Sequence, residues 1–514
     1  MNVILLSPLI QECNYIGDYS SRWPQLGLAY IASTLEKAGH KVRILERKIY
    51  AGAEYPKSPL QLSKIDDLML SDLKDFNPGI IGLTATTPVI MDAFHSAKII
   101  KEHLSNLSIV IGGRHATTEP GLTLEQCPQI DIVCRGEGEH TMLDLANGLP
   151  LKQIKGIIYR DNNGGYIINP DRALFENLDL LAFPAWHLLD QDFYFRPNIA
   201  VMRGDYMVTA TMMTSRGCPY RCAFCQSPEL LDIYGKNYIR FHSPERVINE
   251  IEYLMEKFGV KGISLNDDMF SLDKKRVIGI CNRIIEHKIN KNLKFTVNLR
   301  SDRVDDEILS ALKRAGCIHV IYGSESGSQD TLKRMNKGVS IQKNIEAIRL
   351  TKKHGLCAEA NIVIGSPQET ELDFLETIKF LKRAAPDRIF ISKFYPLPGT
   401  QFYKNVIENK AMSRQINWDK INDLYVENDD FTFADISPRK FIWLRNKLAR
   451  EIVVFTNTLY VIKSNFKRNK RLVLDQSIKF FLYIIFLHLP ISAQKSLKGL
   501  FNKKNKKVRY FFRG

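Results

Sequence analysis

Three cysteines with the spacing C-x3-C-x2-C, Cys218, Cys222 and Cys225, are the residues of this chain whose types and positions most directly indicate chemistry. Their thiolates can bind three of the four irons of a [4Fe–4S] cluster, which leaves one iron free to bind another molecule. An electron-carrying ferredoxin would close that corner with a fourth cysteine, so the spacing favours an enzyme that binds a co-substrate on iron. The alternatives are three neighbouring buried thiols or a structural zinc site, although structural zinc usually has four ligands and no second cysteine pair is present.

The other six of the nine cysteines are isolated from one another in sequence. Secreted proteins that rely on disulfides pair their cysteines and carry an N-terminal signal, and neither pattern is found in this sequence. We therefore expect a cytoplasmic protein in a reducing environment, and a cluster that is sensitive to oxygen.

The positive charge of the chain is confined to its end. The net charge of the 514 residues is +16, but residues 437–514 hold 19 Lys and Arg against 2 Asp and Glu, which is +17, so the first 436 residues carry −1. At the usual domain size of about 150 residues, this length predicts about three domains. The neutral body and the basic tail have to be interpreted separately.

Residues 1–150 alternate short apolar runs with amphipathic stretches, which indicates strands and helices in turn. Strands that are apolar throughout are covered on both faces, as in a parallel sheet between two helical layers. The predicted strands are 2–7, 41–45, 80–84, 109–113 and 130–134, and the predicted helices are 26–38, 60–76 and 89–104. This pattern predicts an α/β fold whose first unit is a Rossmann-like, doubly wound parallel sheet.

Ligands of such sheets bind at the carboxyl ends of the strands. Here those ends carry a threonine pair, Thr86 and Thr87, and two glycine-containing runs, 112–113 and 136–137. Glycine lets the backbone approach a bulky or anionic ligand closely. On this pattern alone, the sheet could bind a nucleotide or belong to a protein like a response regulator.

The run 216–225, Arg-Gly-Cys-Pro-Tyr-Arg-Cys-Ala-Phe-Cys, resembles the signature of the radical S-adenosylmethionine (SAM) superfamily, in which the amino and carboxylate groups of SAM bind the open iron. With Ile-Gly-Gly-Arg-His-Ala at 111–116 and Arg-Gly-Glu-Gly-Glu at 135–139, the chain resembles the cobalamin (B12)-binding radical SAM family over roughly residues 1–430. The resemblance implies a cobalamin module in residues 1–150. The residues implied to bind cobalamin are Thr86, Thr87, Gly112, Gly113, Gly136 and Glu137.

The chain departs from cobalamin domains that bind cobalt through a histidine. Those domains carry D-x-H-x-x-G, whereas Asp92 and His95 have the wrong spacing and His115 has no aspartate two residues before it. Many B12-dependent radical SAM proteins also lack this motif, so the resemblance implies cobalamin without a histidine below it. The alternative is a sheet that no longer binds cobalamin.

Residues 151–205 are predicted to connect two domains. A turn at 161–165 between the apolar runs 156–160 and 166–169 indicates a hairpin, since glycine supplies the positive φ that such turns require. The apolar stretch 178–186 is predicted to lie between the domains.

A second series of strands and helices in 206–430 predicts a partial (β/α)6 barrel, similar to a TIM barrel, with its chemistry at the carboxyl ends of the strands. The predicted strands are 208–214, 262–266, 294–299, 319–322, 359–364 and 388–394, and the predicted helices are 244–258, 274–288, 305–315, 341–354 and 371–384. Each strand ends in a polar run, and the first of these runs is the cysteine loop. A ring of polar strand ends suits a polar, zwitterionic ligand.

The resemblance implies which of these strand ends bind SAM. Phe224 would contact the adenine, and Glu325 and Arg300 would hold the polar parts of SAM. Residues 361–364 and Gly365 would line the adenine, with Ile364 among them. Two further candidates, Asp267 and Asp268, would take the amino end of SAM or the substrate. For the polar residues of this set the alternative role is to cap a helix, where such side chains are favoured.

The tail, residues 431–514, is predicted to be a basic helical extension. A helix is predicted at 442–460, a basic run follows at 463–471, and the apolar block 478–489 is short of the about 20 residues that span a bilayer. An apolar segment flanked by basic residues suits the surface of an anionic membrane. A small helical domain and a nucleic-acid-binding arm are the alternatives, and the aromatic residues of the block favour the membrane over nucleic acid.

These features predict a B12-dependent radical SAM enzyme with a [4Fe–4S] cluster, SAM and cobalamin as cofactors. By the family's chemistry, a 5′-deoxyadenosyl radical would take hydrogen from an unactivated carbon of an apolar or lipid-like small molecule, which is then methylated. A flavodoxin or ferredoxin-type protein would supply electrons. The alternatives are a cyclase or rearrangement enzyme of the same family, similar to the anaerobic magnesium-protoporphyrin ester cyclase, or a non-catalytic iron–sulfur or zinc protein whose tail binds a polyanion.

Overall fold

The computed structural model describes residues 1–9, 23–52, 58–161, 164–198, 201–202, 205–408 and 432–465, with the single residues 474 and 478. The end of the predicted barrel unit, at 409–430, therefore lies outside the described residues. So do most of the predicted basic run and nearly all of the apolar block of the tail.

The first sheet contains seven strands in the order β2-β1-β3-β4-β5-β6-β7. Its first five strands pair in parallel. The strands are β1 Asn2–Ser7, β2 Lys41–Glu46, β3 Ile80–Thr84, β4 Ser108–Gly112, β5 Ile132–Cys134, β6 Ile157–Arg160 and β7 Tyr166–Ile168. The helices of this unit are α1 Leu26–Lys37, α2 Arg47–Tyr50, α3 Pro59–Phe76, α4 Ile90–His103, α5 Arg114–Thr118, α6 Pro120–Gln126 and α7 Glu139–Ala146.

The side chains of β1 show why the sheet is covered on both faces. Ile4 and Leu6 belong to a buried cluster that includes residues of α3 and α4, whereas Val3 and Leu5 belong to a cluster with residues of α1 and α7. Successive residues of a strand point to opposite faces, so a run of four apolar residues buries both. The prediction of a doubly wound sheet is confirmed.

The hairpin predicted in the connector is part of this sheet. Strands β6 and β7 pair antiparallel with each other, and β6 pairs antiparallel with β5. The first sheet therefore continues to residue 168, past the predicted domain boundary at residue 150.

The second sheet contains six parallel strands in the order β8-β11-β12-β13-β14-β15, which confirms the predicted partial barrel. These strands are β8 Thr209–Met212, β11 Gly262–Leu265, β12 Lys294–Leu299, β13 Cys317–Glu325, β14 Cys357–Ile364 and β15 Arg388–Lys393. Between β8 and β11 lies a short antiparallel pair, β9 Ser215–Arg216 and β10 Arg240–Phe241, which the sequence did not predict. The helices of this unit are Gln191–Tyr194, Ser227–Tyr234, Pro244–Phe258, Lys274–Glu286, Asp306–Arg314, Gln329–Arg334, Ile341–Lys353, Glu371–Ala384 and Gln401–Glu408.

The apolar stretch 178–186 packs between the two units, as predicted. Trp186 is 1% exposed and belongs to the same buried cluster as Leu26 and Tyr30 of α1 and the apolar side chains of the barrel. Its indole nitrogen donates to Glu250 at 3.4 Å, and the amide of Ala185 donates to the carbonyl of Ala29 at 2.9 Å. This shared core joins the two sheets.

The start of the tail covers the edge strand β15. Helix Pro438–Leu448 leads through a π-helical turn, Ala449–Val453, into helix Val454–Asn465, so the predicted helix is present with a wider turn inside it. The side chain of Asn457 accepts from the amide of Ile389 at 2.9 Å and donates to its carbonyl at 2.8 Å. Among the described residues, none of the helices combines the length and apolar character needed to cross a bilayer.

Candidate active site between the two sheets

A cavity of about 290 Å³ lies where the carboxyl ends of the first sheet meet the start of the barrel. Four of the six residues predicted to bind cobalamin line it, namely Gly112, Gly113, Gly136 and Glu137. Thr86 and Thr87 are not in its lining. From the barrel side the lining includes Met213, Gly217 and Asp268, so the cavity reaches the residue before Cys218.

Two of the lining glycines are required by the backbone. Gly113 has φ +99°, and a Cβ at this position would lie 2.5 Å from the carbonyl oxygen of Ala85. Gly136 has φ +77°, and a Cβ there would overlap the hydroxyl of Tyr234. Any side chain at these positions would be strained and would collide with these neighbouring atoms. The two glycines are therefore needed for the close packing at the edge of the cavity.

Thr87, which is not in the lining of the cavity, contacts a buried histidine. Its hydroxyl lies 3.1 Å from Nδ1 of His115, and both side chains are buried. Burial lowers the pKa of His115 to about 4, so the imidazole is neutral at neutral pH. No histidine occurs among the described residues that line the cavity. This arrangement agrees with the missing histidine motif.

Glu137 lies at the cavity edge with both carboxylate oxygens in ion pairs to the other unit. Arg240 donates to both oxygens, at 2.6 and 3.1 Å, and Arg216 lies 2.9 Å from one of them. Arg216 also donates to Glu139 at 2.7 Å. Burial would raise the pKa of Glu137, but the two guanidinium groups lower it. Because Arg216 comes two residues before Cys218, these ion pairs tie the cysteine loop to the edge of the first sheet that is predicted to bind cobalamin.

The cysteine loop begins directly after β9. Gly217 has φ +90°, and a Cβ there would overlap the carbonyl oxygen of Tyr238, so this position also requires glycine. Burial raises the pKa of Cys218 to about 11, and burial likewise raises the pKa of Cys222. Binding of iron would therefore release protons from these thiols.

In the described part of the chain, no three His, Cys, Asp or Glu side chains converge as the ligands of a single ion would. The three thiols share one loop, and the ligands of a cubic cluster bind different irons, so they do not need to meet at one point.

Asp267 has a different role from the one predicted for it. It is 3% exposed and accepts from the amide and hydroxyl of Thr214, both at 2.5 Å, and from the hydroxyl of Ser215 at 2.7 Å. It therefore fixes the segment that leads into the cysteine loop, and SAM or substrate would find its oxygens already occupied. Asp268 does line the cavity, where Nη2 of Arg114 from the first unit lies 3.5 Å from its carboxylate.

Glu325 is the last residue of β13, Arg300 directly follows the neighbouring β12, and Lys337 contacts both. Nζ of Lys337 donates to Oε1 of Glu325 at 2.8 Å, and Arg300 donates to the backbone carbonyl of Lys337. The guanidinium of Arg300 stacks on Tyr220 at 3.8 Å from the ring centroid and donates to Asp302 at 2.8 Å. The sequence did not identify Lys337, because nothing in its neighbourhood marks it as a site residue.

Of the residues predicted to line the adenine, Phe224 lies beside Lys337, with Nζ 5.9 Å from the centroid of its ring. Phe224 packs against a cluster that includes Ala223, Met335, Phe394 and Phe433, and Ile364 is buried at the end of β14. Gly365 has φ +84°, and its amide donates to the fully buried carboxylate of Glu369 at 2.5 Å.

Burial raises the pKa of Glu369 to about 8 in spite of the backbone amides that bind it. The sequence showed the polar run 365–369 but not that Glu369 organises it.

Comparison with known protein families gives two matches along the chain. Residues 212–381 match the radical SAM superfamily, and residues 15–146 match the B12 binding domain. The first match contains the cysteine loop, Arg300, Glu325, Ile364 and Gly365. The second contains all six residues predicted to bind cobalamin.

Individual relatives agree with these matches. An uncharacterised methyltransferase of Pyrococcus horikoshii is 36% identical over 80% of this chain and 85% of its own length. The anaerobic magnesium-protoporphyrin IX monomethyl ester cyclase of Cereibacter sphaeroides is 28% identical over 76% of this chain, which spans 61% of the cyclase.

Among solved structures, the radical SAM methyltransferase TsrM of Kitasatospora setae, with cobalamin and a [4Fe–4S] cluster bound, matches with a TM-score of 0.61. The match covers 79% of this chain and 74% of that one, at 17% identity, and shows that the fold is shared.

Proposed function

The chain belongs to the cobalamin-binding radical SAM enzymes, and on that premise we propose that it transfers a methyl group from cobalamin to a carbon atom of a small molecule. When bound, the cluster supplies the electron that cleaves SAM into the 5′-deoxyadenosyl radical, and cobalamin supplies the methyl group. The observation that carries the proposal is the shared cavity. The glycine edge of the first sheet and the residue before Cys218 line the same space.

Within this proposal, most of the predicted residues keep the roles that the sequence assigned to them. Cys218, Cys222 and Cys225 hold the cluster. Phe224, Ile364 and Gly365 take the adenine, and Arg300 and Glu325 take the polar end of SAM. The backbone at Gly112, Gly113 and Gly136 receives the cobalamin, and Thr86 and Thr87 are outside the lining of the cavity.

Glu137 has a changed role. Because both of its oxygens pair with arginines, we assign it to the contact between the two units at the edge of the cobalamin site.

A direct test is EPR spectroscopy of anaerobically reconstituted, reduced protein, with and without SAM. We expect a [4Fe–4S]⁺ signal that changes when SAM is added and is lost in Cys222→Ala. The matched control is Cys281→Ala, which removes a buried thiol outside the loop and should retain the signal. A signal that does not respond to SAM, or a protein that binds zinc alone, would contradict the proposal.

The fate of SAM distinguishes methyl transfer from cyclisation, which is the reaction of the cyclase relative. Radical methylation consumes two SAM, so 5′-deoxyadenosine and S-adenosylhomocysteine should form in equal amounts. A cyclase would form 5′-deoxyadenosine without matching S-adenosylhomocysteine. With SAM deuterated in its methyl group, the product of a methylase carries the label, and an unlabelled product would refute methyl transfer.

We further propose an apolar, lipid-like substrate met at a membrane surface, with a flavodoxin or ferredoxin-type protein as electron donor. The support lies in the sequence of the tail, where net charge +17 accompanies the apolar block 478–489. Each basic residue near anionic headgroups contributes about 1 kcal/mol of binding free energy. The full chain should sediment with anionic vesicles at low salt but not with zwitterionic ones. Replacing Lys503, Lys504, Lys506 and Lys507 by glutamine should weaken sedimentation, and equal binding to both vesicles would refute the membrane contact.

A further inference from the structure

Lys337 is a buried cation that lies next to both the cysteine loop and Glu325. Its side chain and that of Glu325 are 12% and 11% exposed, and Nζ lies 2.8 Å from Oε1 of Glu325. Nζ also lies 5.9 Å from the ring centroid of Phe224. The 2.8 Å contact with the Glu325 carboxylate pairs the ammonium of Lys337 with an opposite charge in this buried position.

The backbone around the pair is shaped to hold it. Glu325 has φ +61°, a conformation that non-glycine residues rarely adopt, and the pairing of β13 with β14 shifts register between Gly323 and Glu325. A shift of this kind redirects a side chain, and strained conformations of this kind collect at functional sites. A Cβ on Gly323 would overlap Oε1 of Glu325 and lie 3.1 Å from Nζ of Lys337.

Two hydrogen bonds, one on each side of Cys222, join the cysteine loop to the segment that carries Lys337. The amide of Ala223 donates to the carbonyl of Met335 at 2.8 Å, and the side chain of Asn336 donates to the carbonyl of Arg221 at 2.8 Å. Asn336 itself has φ +49°. Lys337 is therefore placed in a fixed position relative to the cysteines that would hold the cluster.

The charges of this pair are complementary to those of an amino acid zwitterion. SAM presents one ammonium and one carboxylate, and leaving a buried charge without a partner is costly. We propose that Lys337 binds the carboxylate of SAM. In the absence of SAM it neutralises Glu325, and it moves to the carboxylate when the ammonium of SAM takes its place on Glu325. This inference rests on the proposed function, since it needs a chain that binds SAM.

The test compares SAM with decarboxylated SAM, which keeps the ammonium and lacks the carboxylate, by equilibrium dialysis against the cluster-loaded chain. Lys337→Gln keeps a hydrogen-bond donor for Glu325 and removes the charge. Because a hydrogen bond to a charged group is at stake, the preference for SAM over decarboxylated SAM should shrink by about 10- to 100-fold. Lys337→Arg should restore part of this preference.

The matched control is Lys333→Gln on the helix before the site. Lys333 has a 70% exposed side chain and pairs only with Asp330 among the contacts described, so this variant should keep the wild-type preference. Gly323→Ala provides a second route, because its methyl group displaces the pair while both charges remain, and it should also reduce the preference.

Two results would overturn the assignment. If Lys337→Gln weakened the binding of SAM and of decarboxylated SAM equally, the only role of Lys337 would be to support Glu325. If the preference for SAM over decarboxylated SAM stayed unchanged and the reduction potential of the cluster shifted, Lys337 would instead regulate the cluster. Failure of the wild-type chain to bind SAM would instead refute the proposed function, so the two failures are distinguishable. Should Lys337→Gln not fold, Lys337→Arg and Gly323→Ala decide the question.

Discussion

The ion pairs of Glu137 allow a quantitative prediction about how the two units are held together. In Glu137→Gln the carboxylate that pairs with Arg240 and Arg216 is replaced by a neutral amide. Arg240 is 6% exposed and the side chain of Arg216 16%, so both cations lose a partner in a place where water replaces it poorly. Removing one member of a buried pair costs about 3–5 kcal/mol.

The lower end of this range applies here, because each arginine keeps a second partner. Arg216 still donates to Glu139 at 2.7 Å, and Arg240 still donates to the carbonyl of Phe175 at 2.7 Å. At about 2–4 °C per kcal/mol for units of 150–250 residues, a loss of about 3 kcal/mol lowers the unfolding temperature by about 6–12 °C. The measurement is thermal unfolding of the chain freed of cluster and cobalamin. The control Asp75→Asn breaks the exposed pair of Arg43 and Asp75 and should cost about 0–1 kcal/mol.

The pH dependence of the free energy of unfolding gives an independent check that the ion pairs of Glu137 are stabilising. Burial would raise the pKa of Glu137, but Arg216 and Arg240 lower it below the value in the unfolded chain, which is about 4.3. Its stabilising contribution is therefore complete above about pH 4.3 and is lost as the pH falls through the folded-state pKa. Wild type and Glu137→Gln should differ by a constant amount near neutral pH and converge in acid. A Gln variant as stable as wild type at neutral pH would refute the reasoning.

Three further predictions follow from single side chains. Burial raises the pKa of Glu369 to about 8, above the unfolded value of about 4.3, so its contribution is complete below about pH 4.3 and is lost as the pH rises towards 8. Glu369→Gln should flatten the decline in unfolding temperature over that interval, and an unchanged slope would contradict the assignment. Because His115 contacts Thr87, His115→Ala should leave the EPR spectrum of bound cob(II)alamin unchanged. Loss of a nitrogen splitting in this variant would identify His115 as a cobalt ligand. Asn457→Ala should cost about 1–3 kcal/mol and speed amide hydrogen exchange at Ile389, whereas unchanged exchange would show that the edge strand needs no cap.

The elements that sequence reasoning found best carry their signals locally. The helix predicted at 244–258 has the same bounds in the structure, because Ser243 caps its first turn and Gly259 ends it in a left-handed conformation. The helix predicted at 371–384 begins with a capping box formed by Thr370 and Asp373. Apolar runs such as β1 identified the strands of both sheets in the same way.

What the sequence did not reveal depends on residues that are distant along the chain. Glu137 and Arg240 are 103 positions apart, and the charge of Glu137 gave no sign that an arginine of the second unit would bind it. Lys337 lies 12 positions after Glu325 and meets it only because the chain turns back over the cysteine loop. The small pair β9–β10 forms between segments on either side of that loop, so neither partner is apparent by itself.

Asn457 is synthesised later than the strand whose edge it caps. Strand β15 is complete once residue 393 has been synthesised, but its outer edge has this cap only after residue 457 has been added and has left the ribosome. Until then the backbone amide and carbonyl of Ile389 lack this partner, and uncovered strand edges promote aggregation. The helix that carries Asn457 therefore contributes to covering the barrel edge as the chain emerges.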